Sequence, residues 1–184
     1  MAWKQLQCLV LCTCGSGSVG VGSSSGVSVV LTGSGNIPDG SFSNMYNLKS
    51  VEISNGCTGI GDNAFAWSGL ESIVIPNTVR RIGDNAFSYT QITNIVIPNS
   101  VSSFGEDIMP SSRLVSMTVP SGITVSALYS GIQYNLETIN YEGTESQWLS
   151  MFADYQGNDS LTLEEWKSYY NYHGAINFNY DYGE

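Results

Sequence analysis

Residues 60–65 and 82–87 both read Ile-Gly-Asp-Asn-Ala-Phe, and residues 73–77 and 95–99 both read Ile-Val-Ile-Pro-Asn. In each pair the second copy follows the first after 22 residues. Self-similarity at a period of about 20 to 50 residues is the signature of a repeat architecture. A unit this short cannot bury its own apolar residues, so neighbouring units must stack to make a core. The two copies therefore predict a solenoid.

The repeat extends beyond these two copies in both directions. A single inserted residue near Met45 brings Ile37 and Phe42 into line with Ile60 and Phe65. Steps of 22 residues place six apolar pairs in register: Val29/Leu31, Val51/Ile53, Ile73/Ile75, Ile95/Ile97, Met117/Val119 and Ile139/Tyr141. We therefore expect about six rungs.

Each unit predicts one short strand. The spacing Leu70-x-x-Ile73-x-Ile75 is that of a leucine-rich repeat, in which the apolar side chains turn inward and the x positions stay outside. A proline follows the strand and ends it, because proline has no N–H to donate; this residue is Pro76, Pro98 or Pro120.

The rest of the unit predicts turns and a second wall of the core. Glycines recur at the start of the turn, at Gly61, Gly83 and Gly105, where a positive φ is expected. The wall that faces the strands is predicted to consist of Phe65, Phe87, Met109, Val79, Val101 and Ile123.

The repeat motif resembles a known family. Ile-Gly-Asp-Asn-Ala-Phe followed by Leu-x-x-Ile-x-Ile-Pro-Asn-x-Val is similar to the BspA-like, or Treponema-type, leucine-rich repeat. Residues 141–148 look like the closing motif of such arrays, and residues 175–180 resemble the strand that usually ends them. The resemblance implies a non-enzymatic recognition or adhesion module, common on bacterial and protist surfaces, whose ligand is a protein or a glycan.

Composition divides the chain into three segments. Residues 1–26 are an N-terminal strand, expected within residues 6–14, and a Gly/Ser-rich assembly or linker segment. Residues 27–141 hold the repeats, and residues 142–184 form an acidic, tyrosine-rich C-terminal cap. The expected fold is thus mainly β: a short leucine-rich-repeat solenoid of about six rungs with a small helix-plus-strand C-terminal cap.

Two local patterns predict the elements of the cap. Thr162 and Glu165 are spaced as a capping box, which predicts a short helix after them. Residues 175–182 alternate between apolar and polar, as a strand does. Together they would close the open end of the solenoid.

Residues 1–26 leave the cellular location open. Their apolar stretch is too short and too interrupted for a convincing signal peptide, and no run approaches the roughly 20 apolar residues of a membrane span. One location is the cell surface or the extracellular space. The alternative is a virion, in which a fibre or tail protein would join a larger assembly or homo-oligomer through residues 1–26.

Charge and residue usage argue against several classes of function. The 184 residues carry 16 acids and 6 bases, so the net charge of −10 disfavours a nucleic-acid partner. The one histidine, His173, leaves little with which to assemble a catalytic site. Residues 15–20 match G-x-G-x-x-G, but no helix-forming sequence follows to hold a dinucleotide. We therefore expect neither an enzyme nor a cofactor.

The outward positions of the strands are the candidate ligand-binding surface. They are small and mostly uncharged, which suits a protein or glycan ligand but is equally compatible with an inert solvated sheet. Trp67 and Tyr89, one period apart, either stack on a sugar or a partner or pack in the core against the next rung. The candidate strand residues are Ser72, Val74, Asn94, Val96, Ser116 and Thr118.

A weaker pattern in the cap has the spacing of a calcium loop. Its oxygen-bearing side chains are Asp154, Gln156, Asn158, Ser160, Thr162 and Glu165. Asp159 stands where glycine is expected for the sharp turn, and few of the side-chain ligands are carboxylates. A polar loop ahead of a capped helix is therefore favoured over a metal site.

Overall fold

The structure is a computed structural model of the chain, and it describes residues 18–20, 26–110, 113–128, 132, 136–157 and 160–181. These residues form twelve strands and three helices. The strands are β1 (Ser18–Gly20), β2 (Val27–Leu31), β3 (Gly35–Ile37), β4 (Leu48–Ile53), β5 (Cys57–Ile60), β6 (Ser72–Val74), β7 (Arg81–Ile82), β8 (Asn94–Val96), β9 (Ser103–Phe104), β10 (Ser116–Val119), β11 (Thr138–Tyr141) and β12 (Ala175–Asn177). The helices are α1 (Val125–Leu128), α2 (Glu145–Gln156) and α3 (Leu163–Tyr169).

Seven parallel strands make the front of the solenoid. They belong to two four-stranded sheets, with strand orders β1-β2-β4-β6 and β12-β11-β10-β8. The eighth strand, β1, is antiparallel. Ser50 lies opposite Ser72, and Asn94 lies opposite Ser116, so paired residues are 22 apart as the repeat predicts. The two sheets meet between β6 and β8, which contact each other without ladder pairing. The predicted register is confirmed. The division of the front into two sheets is a feature that the repeat period does not predict.

A second parallel sheet makes the back of the solenoid. Its strand order is β3-β5-β7-β9, and it continues past the level at which the front divides. Ile82 in β7 lies opposite Ile60 on one side and Phe104 on the other. The back sheet therefore joins the two halves of the front into one stack.

Aromatic side chains from the turns fill the core between the sheets. Phe42, Phe65 and Phe87 are buried and stack with ring centroids 5.2 Å and 5.7 Å apart and nearly parallel planes. Contact between Phe42 and Phe65 confirms the one-residue insertion, because the uncorrected period would not align them. The predicted second wall is also confirmed, since all six of its residues are buried: Phe65, Phe87, Met109, Val79, Val101 and Ile123.

The prediction of positive φ at Gly61, Gly83 and Gly105 is wrong. None of the three has a positive φ; each lies against an aspartate of the preceding rung, with which a Cβ would collide. Each aspartate Oδ1 accepts a hydrogen bond from a backbone N–H one rung on: Asp39 from Asp62 at 2.8 Å, Asp62 from Asp84 at 3.1 Å and Asp84 from Glu106 at 2.9 Å. Glycine is needed here for close approach between rungs.

The cap continues the front sheet. β12 pairs in parallel with β11, as predicted for a closing strand. It is shorter than the predicted 175–182, because the chain bends after Asn177 and Asn179 has a φ of 55°. The predicted capping box is present at the start of α3: the Thr162 hydroxyl accepts from the Glu165 N–H at 3.3 Å, and the Glu165 carboxylate accepts from the Thr162 N–H at 2.8 Å.

Helix α2 is an element that the sequence analysis does not predict. It begins with a second capping box, in which Thr144 and Gln147 exchange side-chain and backbone hydrogen bonds, and ends at Gly157 with a φ of 66°. Trp148 and Phe152 project from it and are buried against Trp166 of α3. The spacing from Thr144 to Gln147 is the signal that identifies this helix.

Residues 18–20 differ from the predicted linker. They form β1, which pairs antiparallel with β2 and places Ser18 opposite Val30. An added strand satisfies backbone groups that the first rung would otherwise leave unpaired at the edge of the front sheet. The strand expected within residues 6–14 lies outside the described residues. In the described part of the chain, no helix combines the length and the apolar character needed to cross a membrane.

Candidate ligand-binding surface

The outward side chains of the front strands form parallel rows across the solenoid. One row contains Val74 and Val96, which are 65% and 54% exposed, and the neighbouring row contains Ser72 and Asn94, which are also exposed. These four residues lie on β6 and β8, on either side of the division in the front sheet. We call them the central patch. Its position on the middle rungs is the one that the sequence predicts.

Toward the cap, the side chains in the same rows are hydrogen-bonded to one another. Asn177 donates from its amide to Asn140 Oδ1 at 2.7 Å, and Asn140 donates to Thr118 Oγ1 at 3.2 Å. Thr118 is only 6% exposed. The expectation that Thr118 lies on an open surface is therefore wrong, because the following rungs cover and satisfy its hydroxyl. Ser116 is half-buried and donates to Asn94 Oδ1 at 2.7 Å.

Charges lie at the margins of this face. Lys49 and Glu71, one rung apart, form an ion pair beside the central patch. Such an exposed pair contributes little to stability, but it neutralises both charges locally. Val74, Val96, Ser72 and Asn94 themselves carry no charge. Glu52 is exposed on β4 opposite Val74, so the patch consists of two exposed apolar side chains with an acid at one end of their row.

Trp67 and Tyr89 stack on each other at the surface. Their ring centroids are 3.8 Å apart and their planes differ by 13°, yet the residues stay 50% and 42% exposed. The two rings therefore pack against each other across adjacent rungs, but they do not lie in the core. The sequence reasoning left both alternatives open, and the structure places the pair where a ligand can reach it.

A groove of about 550 Å³ lies along this stack. Besides Trp67 and Tyr89, it is lined by residues from the starts of the neighbouring rungs: Tyr46, Lys49, Ser68, Gly69, Glu71 and Gln91. We call it the aromatic groove. The sequence analysis missed Tyr46, Ser68 and Gln91 as site residues. Tyr46 lies next to the inserted residue, so the period of 22 does not align it with Trp67 or Tyr89.

The backbone at the stack is unusual for aromatic residues. Trp67 has a φ of 58° and Tyr89 a φ of 54°, in the left-handed region. Asn44 occupies the corresponding position one rung earlier with a φ of 60°, and asparagine adopts this conformation far more readily. Left-handed backbone costs an ordinary residue roughly 1–2 kcal/mol. Outliers of this kind cluster at functional sites.

Hydrogen bonds between rungs hold this conformation. The Trp67 N–H donates to the Ser88 carbonyl at 2.8 Å, and the Tyr89 N–H donates to the Pro110 carbonyl at 2.9 Å. The Phe65 N–H donates to the Ala86 carbonyl at 2.9 Å in the same turn. The stacked rungs therefore stabilise the positions of both exposed rings.

The calcium pattern remains a prediction. Asp154 and Gln156 fall in the last turn of α2, where their side chains are outside the described part of the structure, as is Asn158. Thr162 and Glu165 are engaged with each other in the capping box, and these hydrogen bonds lower the pKa of the Glu165 carboxyl. Among the described residues, no group of three or more His, Cys, Asp or Glu side chains is arranged to hold a metal ion.

Comparison with known proteins gives the class of the chain. Residues 30–153 match the BspA type leucine-rich repeat region, with six copies of the repeat. The chain belongs to this family. No curated protein sequence is significantly similar to it.

Solved structures of bacterial proteins have the same fold. The pneumococcal vaccine antigen PcpA is 26% identical, with a TM-score of 0.56 over 65% of this chain and 31% of that one. A leucine-rich cell surface protein of Faecalibacterium prausnitzii is 18% identical, with a TM-score of 0.57 over 82% and 43%. A leucine-rich repeat protein of Eubacterium ventriosum is 23% identical, with a TM-score of 0.53 over 69% and 44%. The chain thus spans between about a third and under half of the length of these proteins.

Proposed function

We propose that this chain is a non-enzymatic recognition module of a bacterial surface protein and that it binds a protein partner through the central patch. The observation that carries the proposal is the exposure of Val74 and Val96 side by side on adjacent rungs, with the exposed acid Glu52 next to Val74 at one end of their row. Membership of the BspA type repeat family supports a role in protein binding or adhesion. The similarity to a protein described as a cell surface protein supports the location.

The physical case rests on the surface that an array of rungs provides. Stacked repeats create an extended surface in which no single rung makes the site. Ser72 and Asn94 add small polar groups beside the two valines. Glu52 lies next to Val74, so the partner must leave this carboxylate solvated or meet it with a cation. Thr118 and Asn140 do not take part, because hydrogen bonds within the face already occupy them.

The test is a double substitution, Asn94→Lys with Val96→Lys. The full chain is immobilised and probed by surface plasmon resonance with a panel of purified secreted and extracellular-matrix proteins. We expect at least one specific protein partner, and a loss of affinity of about tenfold or more in the double variant, since two cations obstruct the patch. The unfolding temperature should change little, because exposed substitutions rarely alter stability.

Ser102→Lys is the matched control. Ser102 is exposed next to β9 on the back of the solenoid, so the same side chain is added away from the front face. This variant should bind as the parent does. Normal binding by the folded double variant would contradict the central patch as the site. Unfolding of the double variant would instead contradict the outward orientation of its two side chains.

The virion alternative is not carried further. It rests on residues 1–26, of which the structure describes only residues 18–20 and 26. Among the described residues and the similar structures reported above, no observation favours a fibre or tail protein over a surface protein. Assembly through residues 1–26 remains a prediction.

A further inference from the structure

We propose that the aromatic groove is a carbohydrate-binding site, which takes one or two neutral pyranose units of a glycan against Trp67. This site lies beside the central patch and does not depend on it. Five observations support it: the exposed ring surface, the polar groups next to it, the balance of charge, the size of the groove, and the strained backbone that carries the rings.

The first observation is the ring surface left open by the stack. Tyr89 covers one face of the Trp67 indole, yet half of Trp67 stays exposed. Trp67 lines the aromatic groove with the part that Tyr89 leaves open. A pyranose ring carries C–H groups on its own faces, and the negative π face of an indole attracts their positively polarised hydrogens. The position preceding Trp67 in the stack holds Asn44, whose Oδ1 accepts a hydrogen bond from the Tyr46 hydroxyl at 3.3 Å, and Tyr46 is itself exposed in the groove.

The second observation is the arrangement of polar groups along the groove. Glu71 and Gln91 supply a carboxylate and an amide, and Lys49 supplies an ammonium group. These planar and charged groups match the alternating donors and acceptors of sugar hydroxyls. Lys49 lies in β4, Glu71 immediately precedes β6 and Gln91 precedes β8, so the front sheet helps to position them relative to the rings.

Ser68 adds a polar group that the fold itself does not use. It lines the groove and is buried, and its Oγ has no hydrogen-bond partner. The corresponding residue of the next rung, Thr90, donates from its hydroxyl to the Phe87 carbonyl at 3.0 Å. A buried hydroxyl without a partner is costly, and a ligand would remove that cost once the Ser68 side chain turns toward the groove.

Charge and size select the class of ligand. Lys49 and Glu71 neutralise each other, so the groove favours neither an anion nor a cation. An aromatic cage for a quaternary ammonium group is disfavoured, because Trp67 and Tyr89 contact each other and leave no gap between their faces. The volume of about 550 Å³ lies within the range of roughly 300–1,000 Å³ that is usual for small-molecule sites.

The strained backbone points to selection for these rings. Asn44 shows that the turn accepts asparagine at this position, with less conformational cost than an aromatic residue. Burial does not explain Trp67 and Tyr89, since both are exposed. Two adjacent rungs thus carry aromatic side chains at a position where backbone conformation alone favours asparagine.

The experiment measures sugar binding by saturation-transfer difference NMR on the full chain. The probes are maltose, cellobiose, lactose and N,N′-diacetylchitobiose, with a synthetic proline-rich peptide as a competing class of ligand. We expect transfer to at least one disaccharide and a loss of affinity of about tenfold in Trp67→Asn. This variant should fold, because asparagine occupies the equivalent position at Asn44. Gln91→Ala is a second variant, which removes a hydrogen-bonding group without touching the stack.

Tyr169→Asn is the matched control. Tyr169 is an exposed aromatic residue on α3, far along the chain from the groove, and its loss should leave sugar binding unchanged. Binding of none of the disaccharides would overturn the proposal, as would binding that is unchanged in both Trp67→Asn and Gln91→Ala. Saturation transfer to the proline-rich peptide alone would show that the groove binds a protein ligand instead. The Asn94→Lys and Val96→Lys double variant should still bind sugar, so failure here and failure of the central patch are distinguishable.

Discussion

The middle rungs and the C-terminal cap both bury aromatic side chains, but they pack them in different geometries. Phe65 and Phe87 lie with their planes only 4° apart, because the same residue recurs at the same place in a translated unit. In the cap, the ring planes of Trp148 and Trp166 meet at 72°, with centroids 5.3 Å apart. No translation relates these two residues, so they adopt the edge-on contact that aromatic quadrupoles favour.

Hydrogen bonding shows the same contrast. In the rungs, each carboxylate of Asp39, Asp62 and Asp84 bonds to the backbone of the following unit, so the interaction recurs with the period of the sequence. In the cap, the polar side chains of Thr144 and Thr162 satisfy the first turns of their own helices. The solenoid is therefore held by contacts between units, and the cap by local contacts together with one aromatic cluster.

The largest effect is expected from Phe87→Ala. Phe87 is fully buried between Phe65 and the following rung, so its removal leaves a cavity that neighbouring units cannot fill. We expect a loss of roughly 3–5 kcal/mol in the free energy of unfolding, measured by chemical denaturation. Tyr169→Ala, an exposed aromatic truncation in the cap, is the control and should cost little. A loss below about 1 kcal/mol for Phe87→Ala would contradict the stacked core.

Gly83→Ala should have the next largest effect. The new Cβ would collide with the Asp62 carboxylate and backbone, so the approach between rungs must widen at a cost of roughly 1–3 kcal/mol. Gly122→Ala is the matched control, because nothing lies within 4 Å of a Cβ there and its φ is not in the left-handed region. Equal stability of the two variants in chemical denaturation would show that the glycines of the turns are not needed for close approach.

Thr162→Ala tests the local contacts of the cap. It removes the side chain that accepts the Glu165 N–H, and such a change at a helix N-cap typically costs about 1 kcal/mol. Amide hydrogen exchange should therefore rise in α3 while the rungs keep their protection. Thr162→Ser keeps the capping oxygen and serves as the control. Increased exchange throughout the rungs would indicate that cap and solenoid unfold as one unit.

The smallest effect is expected at alkaline pH, at Tyr172 in the cap. Burial raises the pKa of this phenol to about 12, and its hydroxyl donates to the Ala175 carbonyl at 2.8 Å. Because the folded state retains the proton more strongly, the stabilisation is complete below the ordinary pKa of about 10 and is lost as the pH rises through about 12. The unfolding temperature of Tyr172→Phe should fall less steeply over this range than that of the parent chain. Identical slopes would exclude Tyr172 as the source.

The repeat period predicts the strands, their register and the core residues correctly. The strands β4, β6, β8 and β10, their register and the buried wall from Phe65 to Ile123 all follow from a step of 22 residues. The capping box of α3 was predicted from a four-residue pattern, which depends on local hydrogen bonds alone. Periodic and local signals can both be recognised in the sequence without knowing which residues are close in space.

Other features depend on contacts between rungs that the repeat period does not predict. Gly83 is needed for close approach between rungs and not for the predicted positive φ. Asp62 of another rung occupies the space where a Cβ would lie. Thr118 is buried although it occupies an outward position, since Asn140 and Asn177 cover that end of the face. The surface position of the Trp67 and Tyr89 stack depends on the left-handed turn that hydrogen bonds between rungs maintain.

The class of fold, the number and order of the rungs and the identity of the inward residues can all be predicted from the amino-acid sequence. This is possible because burial imposes the same demand on every unit, so each copy repeats the same apolar positions. The exposure of each outward residue, the division of the front sheet between β6 and β8 and the aromatic groove beside it depend on how the rungs pack in three dimensions. Exposure is a property of the whole stack, set by what the neighbouring rungs place over each side chain.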